Sequence, residues 1–206
     1  MGFSSDSFIQ KTPTLVPDLK DIRQLAAGND HVLALDGKGK VFTWGCGEKD
    51  QLARRARHPK LSLRPTSIGT LPVRGAKASK VSCGSYHNFV IDQEGRVYAW
   101  GLNVYGELAI PENAGEDSAS QLRPRLVESL QPYRIVDIAG GEHHSLACTN
   151  KGELVTWGRI DGNQVGFRAE TFTSNNAIFD DRNEPRILKP PLVIPGKCKF
   201  ISLELV

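Results

Sequence analysis

Short apolar runs recur along the chain at a near-constant interval, each followed by a charged, glycine-containing turn and a second run of alternating large side chains. Val32-Leu33-Ala34-Leu35 precedes the turn at 36–40 and the stretch 41–44, and Asn88-Phe89-Val90-Ile91 precedes the turn at 92–96 and the stretch 97–100. The third such turn lies at 149–153. Two apolar segments around a short polar turn predict a β-hairpin. Another apolar stretch lies upstream of each hairpin, at 22–27, 78–83 and 135–139. A fourth strand is expected after a proline in each linker, as in Thr14-Leu15-Val16, Leu126-Val127 and Leu192-Val193. No 3.6-residue periodicity persists anywhere, so the predicted content is all-β.

The three hairpins are copies of one sequence. The first copy reads Gly28-Asn29-Asp30-His31, then Asp36-Gly37-Lys38-Gly39-Lys40-Val41-Phe42-Thr43-Trp44-Gly45, then Gln51-Leu52-Ala53. The second reads Gly84-Ser85-Tyr86-His87, Glu94-Gly95-Arg96-Val97-Tyr98-Ala99-Trp100-Gly101 and Glu107-Leu108-Ala109. The third reads Gly141-Glu142-His143-His144, Lys151-Gly152-Glu153-Leu154-Val155-Thr156-Trp157-Gly158 and Gln164-Val165-Gly166. Histidine to tryptophan is 13 residues in every copy, the copies are offset by 56 and 57 residues, and the chain's three tryptophans share one slot. Four strands in a unit of this length is the repeat of a β-propeller blade, with the tryptophans packing between blades. The organisation expected is a lead-in strand and linker over 1–21, blades over 22–75, 76–134 and 135–195, and the start of a further blade over 196–206. The linker segments 110–122 and 166–185 read as polar, irregular surface loops.

Composition narrows the function classes. The chain has 206 residues, 39% of them hydrophobic and 24% charged, enough to bury a core and too apolar for disorder. No apolar run reaches the roughly 18 residues of a membrane-spanning helix, and the first residues carry neither a secretory signal nor an N-myristoylation motif. The cysteines at 46, 83, 148 and 198 stand singly, which points to a reducing compartment without a zinc site. The net charge of +3 is segregated: residues 51–91 contain no Asp or Glu but eight Lys and Arg, so the remainder sums to −5. That asymmetry fits either a solvated face or an acidic partner. No nucleophile elbow, phosphate-binding Gly-rich loop or dinucleotide fingerprint is present, so an enzyme with covalent chemistry is not expected.

Comparing the copies separates residues that serve the blade from residues free to vary. The Gly and His of Gly-x-x-His are constant, and His31, His87 and His144 read as structural histidines that close turns. The residue before each histidine changes: Asp30, Tyr86, His143. Such turns lie on one face of a propeller, so these side chains point toward one partner surface. Asp30 reads equally well as a turn-former bonding its own backbone. The pair His143-His144 suggests metal, but adjacent strand residues face opposite ways and no Cys or carboxylate stands at ligand spacing.

These motifs resemble the regulator-of-chromosome-condensation repeat family, whose pattern is Gly-x-x-His-[Ser/Thr]-[Leu/Ala], Asp-Gly-x-[Val/Leu]-[Tyr/Phe]-x-[Trp/Phe]-Gly and Gln-Leu-Gly. The match covers roughly 22–166. Gly28-Asn29-Asp30-His31, Trp44-Gly45-Cys46-Gly47-Glu48 and Gly140-Gly141-Glu142-His143-His144 resemble the branch that exchanges nucleotide on the Ran GTPase, in a fungal-type version. The resemblance implies a seven-bladed β-propeller, of which this chain would be an arc, since a closed ring takes about twice this length and propellers have four to eight blades. It further implies a fragment or truncated product, with Gly2-Phe3 just past the missing wedge hairpin. Asp30 and His143 would then carry the exchange activity, with Tyr86 in the same slot between them. GDP, GTP and Mg²⁺ would belong to the GTPase, leaving this chain without a cofactor, a metal or a small-molecule substrate of its own. The loop containing Arg54, Arg55 and Arg57 would lie against histones or nucleosomal DNA, because the planar guanidinium pairs carboxylates and phosphates bidentately. A nuclear, chromatin-associated location, with the cytoplasm as a further one, follows from the same resemblance. The competing expectation is a propeller used only as a scaffold or interaction module, for example in a ubiquitin-pathway protein.

Overall fold

The computed structural model describes residues 11–56 and 58–195. Three antiparallel sheets follow one another along the chain. The first contains β1 (Ile22–Ala27), β2 (His31–Asp36), β3 (Val41–Gly45) and the short β4 (Thr66–Ser67), in that spatial order. A four-residue helix, α1 (Pro59–Ser62), interrupts the loop before β4. The second sheet runs β5 (Ala78–Cys83), β6 (His87–Asp92), β7 (Val97–Leu102) and β8 (Ser120–Leu126). The third contains β9 (Ile135–Gly140), β10 (His144–Thr149), β11 (Leu154–Arg159), β12 (Ala177–Phe179) and β13 (Pro185–Ile194), ordered β12-β13-β11-β10-β9. The inner strands β1, β5 and β9 contact one another in sequence, so the sheets fan out as blades of a β-propeller arc.

One local device closes the hairpin in every blade. Asp36 Oδ1 accepts from the Lys38 and Lys40 amides at 2.9 and 2.8 Å. Asp92 Oδ1 accepts from those of Glu94 and Arg96 at 2.9 and 3.0 Å. In the third blade the Thr149 hydroxyl takes the same role for Lys151 and Glu153. A side-chain oxygen that holds two amides of its own turn fixes the register of the hairpin. Asp92 does more, since its Oδ2 also accepts from Arg96 Nε at 2.7 Å and from the buried Tyr98 hydroxyl at 3.0 Å.

The blades are held by two apolar layers, one on each side of the second sheet. Val90, Tyr98 and Trp100 face the first sheet and pack with Leu33, Leu35 and Val41. Phe89, Ile91, Val97 and Ala99 face the third sheet and pack with Ile138, Val155 and Trp157. All residues of β6 and β7 are therefore buried, whereas the inner strand β1 of the first sheet alternates between half-buried and exposed. Alternate residues of one strand feed alternate layers, which is why Phe89-Val90-Ile91 and Val97 to Trp100 are apolar without alternation.

Three features depart from the sequence pattern. Thr14-Leu15-Val16 forms no strand, and Leu15 is 84% exposed: proline on either side (Pro13, Pro17) denies it ladder donors, and it has no partner strand among the described residues. The first sheet takes its fourth strand from Thr66–Ser67, just after Pro65. The linkers are also more ordered than their polarity suggests. Strand β8 begins within 110–122, and β12 lies within 166–185; its Ala177 joins Ile160, Val165 and Leu188, from either side of that segment, in a small satellite core flanked by Phe167, Phe172 and Phe179. The expected wedge-adjacent residues Gly2-Phe3 and the further blade at 196–206 lie outside the described residues.

Candidate functional site

The turns that carry Asp30, Tyr86 and His143 join β1 to β2, β5 to β6 and β9 to β10. Each is closed by its glycine amide donating to the carbonyl of its own repeat histidine, at 3.0, 2.9 and 2.8 Å for Gly28, Gly84 and Gly141. The glycine is required sterically. The imidazole of the same turn lies directly on its Cα, so a Cβ would overlap the rings of His31, His87 and His144.

The side chains of His31 and His87 reach out of their turns into the next blade. His31 Nε2–H donates to Asn88 Oδ1 at 2.7 Å, and His87 Nε2–H donates to the Ser145 hydroxyl at 3.0 Å. Asn88 Nδ2 and Trp100 Nε1 both donate to the Gln51 carbonyl, at 3.0 and 2.9 Å. One blade later, the Ser145 hydroxyl and Trp157 Nε1 both donate to the Glu107 carbonyl, at 3.0 and 2.7 Å. The invariant His and Trp slots are thus a polar tie between adjacent blades inside the apolar layers. Burial holds the His31 imidazole below its usual value, and burial with the repulsion of neighbouring histidines pushes His87 down to about 3. Nδ1 of both rings is buried without a hydrogen-bond partner among the described residues, consistent with neutral rings protonated on Nε2.

A second glycine fixes the backbone of the candidate residues. Gly45, Gly101 and Gly158 of the Trp-Gly pairs have φ of 114°, 105° and 100°, a region that side chains rarely adopt. This lets the following amides reach the carbonyls of Asp30, Tyr86 and His143, from Cys46, Leu102 and Arg159 at 2.7, 3.0 and 2.8 Å. The three variable positions are therefore held by the same backbone clamp, repeated blade by blade.

The turns converge on one cleft of about 510 Å³ lined by Gly28, Asn29, Gly84, Ser85, Gly141 and Glu142. Asp30 is exposed, and among the described residues its carboxylate has no hydrogen-bond or ion-pair partner, not even its own turn. Tyr86 is half-buried, and its hydroxyl accepts from Asn29 Nδ2 of the preceding blade at 3.1 Å. His143 is the most constrained of the three, with only 17% of its side chain exposed. Its Nδ1–H donates to Glu107 Oε1 at 2.8 Å, its Nε2 lies 3.9 Å from Glu142 Oε1, and its ring centroid is 4.7 Å from that of Tyr105. His144 turns the other way, onto Gly141, so the adjacent histidines do not converge on a shared ligand position.

The pattern of the repeats pointed to the slot before each histidine but not to its neighbours. Tyr105 lies between two guanidiniums, Arg159 at 4.9 Å and Arg186 at 5.2 Å from the ring centroid, and Arg186 Nη2 also donates to its hydroxyl at 3.1 Å. Arg159 is paired with Asp161 at 2.6 Å. Arg186 lies at the start of β13, just past the long linker, and could not be placed without the fold. Glu107 did leave a signal, since it is an acidic residue in a slot that holds Gln51 and Gln164 in the other copies.

The basic loop divides into residues with different duties. Arg54 folds back into its own blade, donating to the Thr43 hydroxyl at 2.7 Å, the Leu52 carbonyl at 3.2 Å and the Arg64 carbonyl at 3.3 Å. Its guanidinium is thereby tied into the loop, and burial lowers its pKa. Arg55 points outward, 81% exposed, with Asp50 only at 4.0 Å. Arg57 lies outside the described residues.

Residues 1–202 match the model of the RCC1-like domain. The chain belongs to the RCC1-like family. It is 36% identical over 203 residues to Protein pim1 of Schizosaccharomyces pombe, covering 98% of this chain and 37% of that protein. To the guanine nucleotide exchange factor SRM1 of Saccharomyces cerevisiae it is 37% identical over 208 residues, covering 98% of this chain and 42% of that protein. It superposes with a TM-score of 0.85 on the crystal structure of S. cerevisiae Prp20p, described together with its binding to Gsp1p and histones. That match has 33% identity and covers 98% of this chain and 46% of Prp20p. The RCC1-like chain thus spans about two fifths of the length of these curated relatives.

Proposed function

We propose that this chain is part of a guanine nucleotide exchange factor for a Ran-type GTPase, with the cleft between the three turns as its GTPase-binding face. The observation that carries this reading is the arrangement of Asp30, Tyr86 and His143, each held by the same backbone clamp in a turn whose preceding residues line one shared cleft. Asp30 offers an exposed carboxylate without a hydrogen-bond or ion-pair partner among the described residues, and a rigid polar face of this kind can bind one state of a GTPase better than another. Exchange follows from that difference alone: the face favours the conformation that holds nucleotide and Mg²⁺ poorly, so GDP leaves and GTP replaces it. No covalent step is required of this chain, and the nucleotide and metal belong to the GTPase. The exchange-factor name of SRM1 and the Gsp1p binding of Prp20p support the same partner class.

The loop around Arg55 is the chromatin-facing element in this reading, with Arg55 and Arg57 meeting histone carboxylates or DNA phosphates and Arg54 holding the loop in shape. Histone binding by Prp20p supports that role and a nuclear location. The test is release of a fluorescent GDP from a purified Ran-type GTPase, with Asp30→Ala and His143→Ala beside the parent chain. Acceleration by the parent that falls about tenfold or more in each variant is the expected result, the size typical of a central contact residue. Equal acceleration by all three proteins would reject these residues. No acceleration by a folded, monomeric parent would make the chain an interaction module of the family.

A further inference from the structure

The environment of His143 is built by one residue that the repeat pattern does not explain. In the first blade Gln51 Oε1 accepts from the Lys49 amide at 2.8 Å, and in the third Gln164 Oε1 accepts from the Gly162 amide at 2.8 Å. The slot therefore caps its own turn with a side-chain oxygen. Glu107 does the same in the second blade, accepting from the Tyr105 amide at 2.8 Å through Oε2. Its other oxygen, Oε1, faces the next blade and accepts from His143 Nδ1–H at 2.8 Å. Glu107 is fully buried, so both oxygens need donors, and they have them.

We propose that Glu107 is the positioning residue for His143: it holds the imidazole proton on Nδ1 and so presents Nε2 to the partner as the variable, outward-facing nitrogen. This rests on the exchange-factor reading only for its functional consequence; the assignment of the proton rests on geometry. A carboxylate is acceptor-only, so the nitrogen it touches must carry hydrogen. That is the reverse of His31 and His87, which donate through Nε2 into the next blade. An imidazole proton is set by the bond the other nitrogen makes. Tyr105 packs tilted against the ring, and Glu142 lies 3.9 Å from Nε2, so the ring has a neighbour on one side, an anchor at Nδ1 and a second nitrogen outside that anchor.

Glu107→Gln restores the residue type of the other two blades, so the fold has a precedent for it within the chain. Its amide oxygen will cap Tyr105, as Gln51 and Gln164 cap their turns. That leaves the NH₂ group facing His143 Nδ1, which must then become an acceptor, and the proton moves to Nε2. Two measurements on the full chain test this. In ¹⁵N-detected histidine spectra at pH 8, His143 is expected to carry its proton on Nδ1 in the parent and on Nε2 in Glu107→Gln. The same tautomer in both, or an unprotonated Nδ1 in the parent, overturns the inference whatever the exchange assay gives. In GDP release from a Ran-type GTPase, Glu107→Gln is expected to lose about fivefold or more while Gln51→Glu, in the slot beside Tyr86, loses little. Full activity in Glu107→Gln with activity lost in His143→Ala overturns the positioning role but leaves the exchange reading standing. Activity indifferent to His143→Ala overturns the exchange role of this residue and leaves the tautomer measurement to decide the geometry.

Discussion

Acid should unfold this chain through His87, and the size of the effect can be worked from its burial. The ring is fully buried between the second and third blades, its Nε2–H is committed to Ser145, and its Nδ1 has no acceptor to receive a second proton's bond. Its folded value lies near 3, against 6.5 for an exposed imidazole. Because the folded value is depressed, the unfolded chain takes up a proton first as the pH falls below 6.5, and stability declines from there toward pH 3. At one pKa unit per 1.36 kcal/mol, the loss from His87 alone between pH 6.5 and pH 5 is about 2 kcal/mol. His31 and His144 are also lowered by burial and act with the same sign. Their share is removed by comparison with His87→Gln, whose amide can donate to Ser145 but does not titrate in this window. Urea unfolding followed by tryptophan fluorescence at pH 7.5, 6.5 and 5 gives the slope for each protein, with Trp100 and Trp157 buried on either side of the second sheet as reporters. The parent should lose about 2 kcal/mol more than His87→Gln over the lower interval. Equal slopes would refute the view that a neutral, buried inter-blade histidine holds the blades together.

Other substitutions separate the roles assigned here. Gly158→Ala places a Cβ 2.6 Å from the His143 carbonyl at a φ of 100°, so a loss of about 2 kcal/mol in chemical denaturation is expected, together with slower GDP release, since the clamp on His143 must shift. Asp92→Ala removes the acceptor shared by Glu94, Arg96 and the buried Tyr98 hydroxyl, and should cost about 3 kcal/mol in the same assay. Arg54→Ala should lower stability by about 1 kcal/mol, because it unties the loop from Thr43, Leu52 and Arg64. Arg55→Ala should leave stability within about 0.5 kcal/mol of the parent and weaken binding to reconstituted nucleosomes, with a shallower salt dependence.

Much of the fold is legible because the repeats report it three times over. The tryptophan slot, the Gly-x-x-His turn and the apolar hairpins each correspond to a residue that packs or bonds across a blade boundary, such as Trp100 on Gln51 and Trp157 on Glu107. The linkers were harder to read for physical reasons. Strand β8 begins with Ser-Gln and contains a proline, and β12 is three residues long, so neither carries a periodic apolar signal; partners already in place recruit them. The site was legible at the level of the turn. Asp30, Tyr86 and His143 differ between copies whose flanking Gly and His are constant, which marks the slot but not the environment. That Arg54 turns inward, that Arg186 reaches Tyr105 from the start of β13, and that His143 rests on Glu107 depend on contacts between segments 10 to 81 residues apart in the chain.

The central claim is that the three turns form the face that meets the GTPase. Hydrogen–deuterium exchange of the 206-residue chain, alone and with a nucleotide-free Ran-type GTPase, tests it most directly. The account predicts slowed exchange in peptides covering 28–30, 84–86 and 141–143, with the opposite-end turns at 36–40, 92–96 and 149–153 unchanged. Protection confined to those opposite turns, or none in a mixture where the GTPase binds, would contradict it.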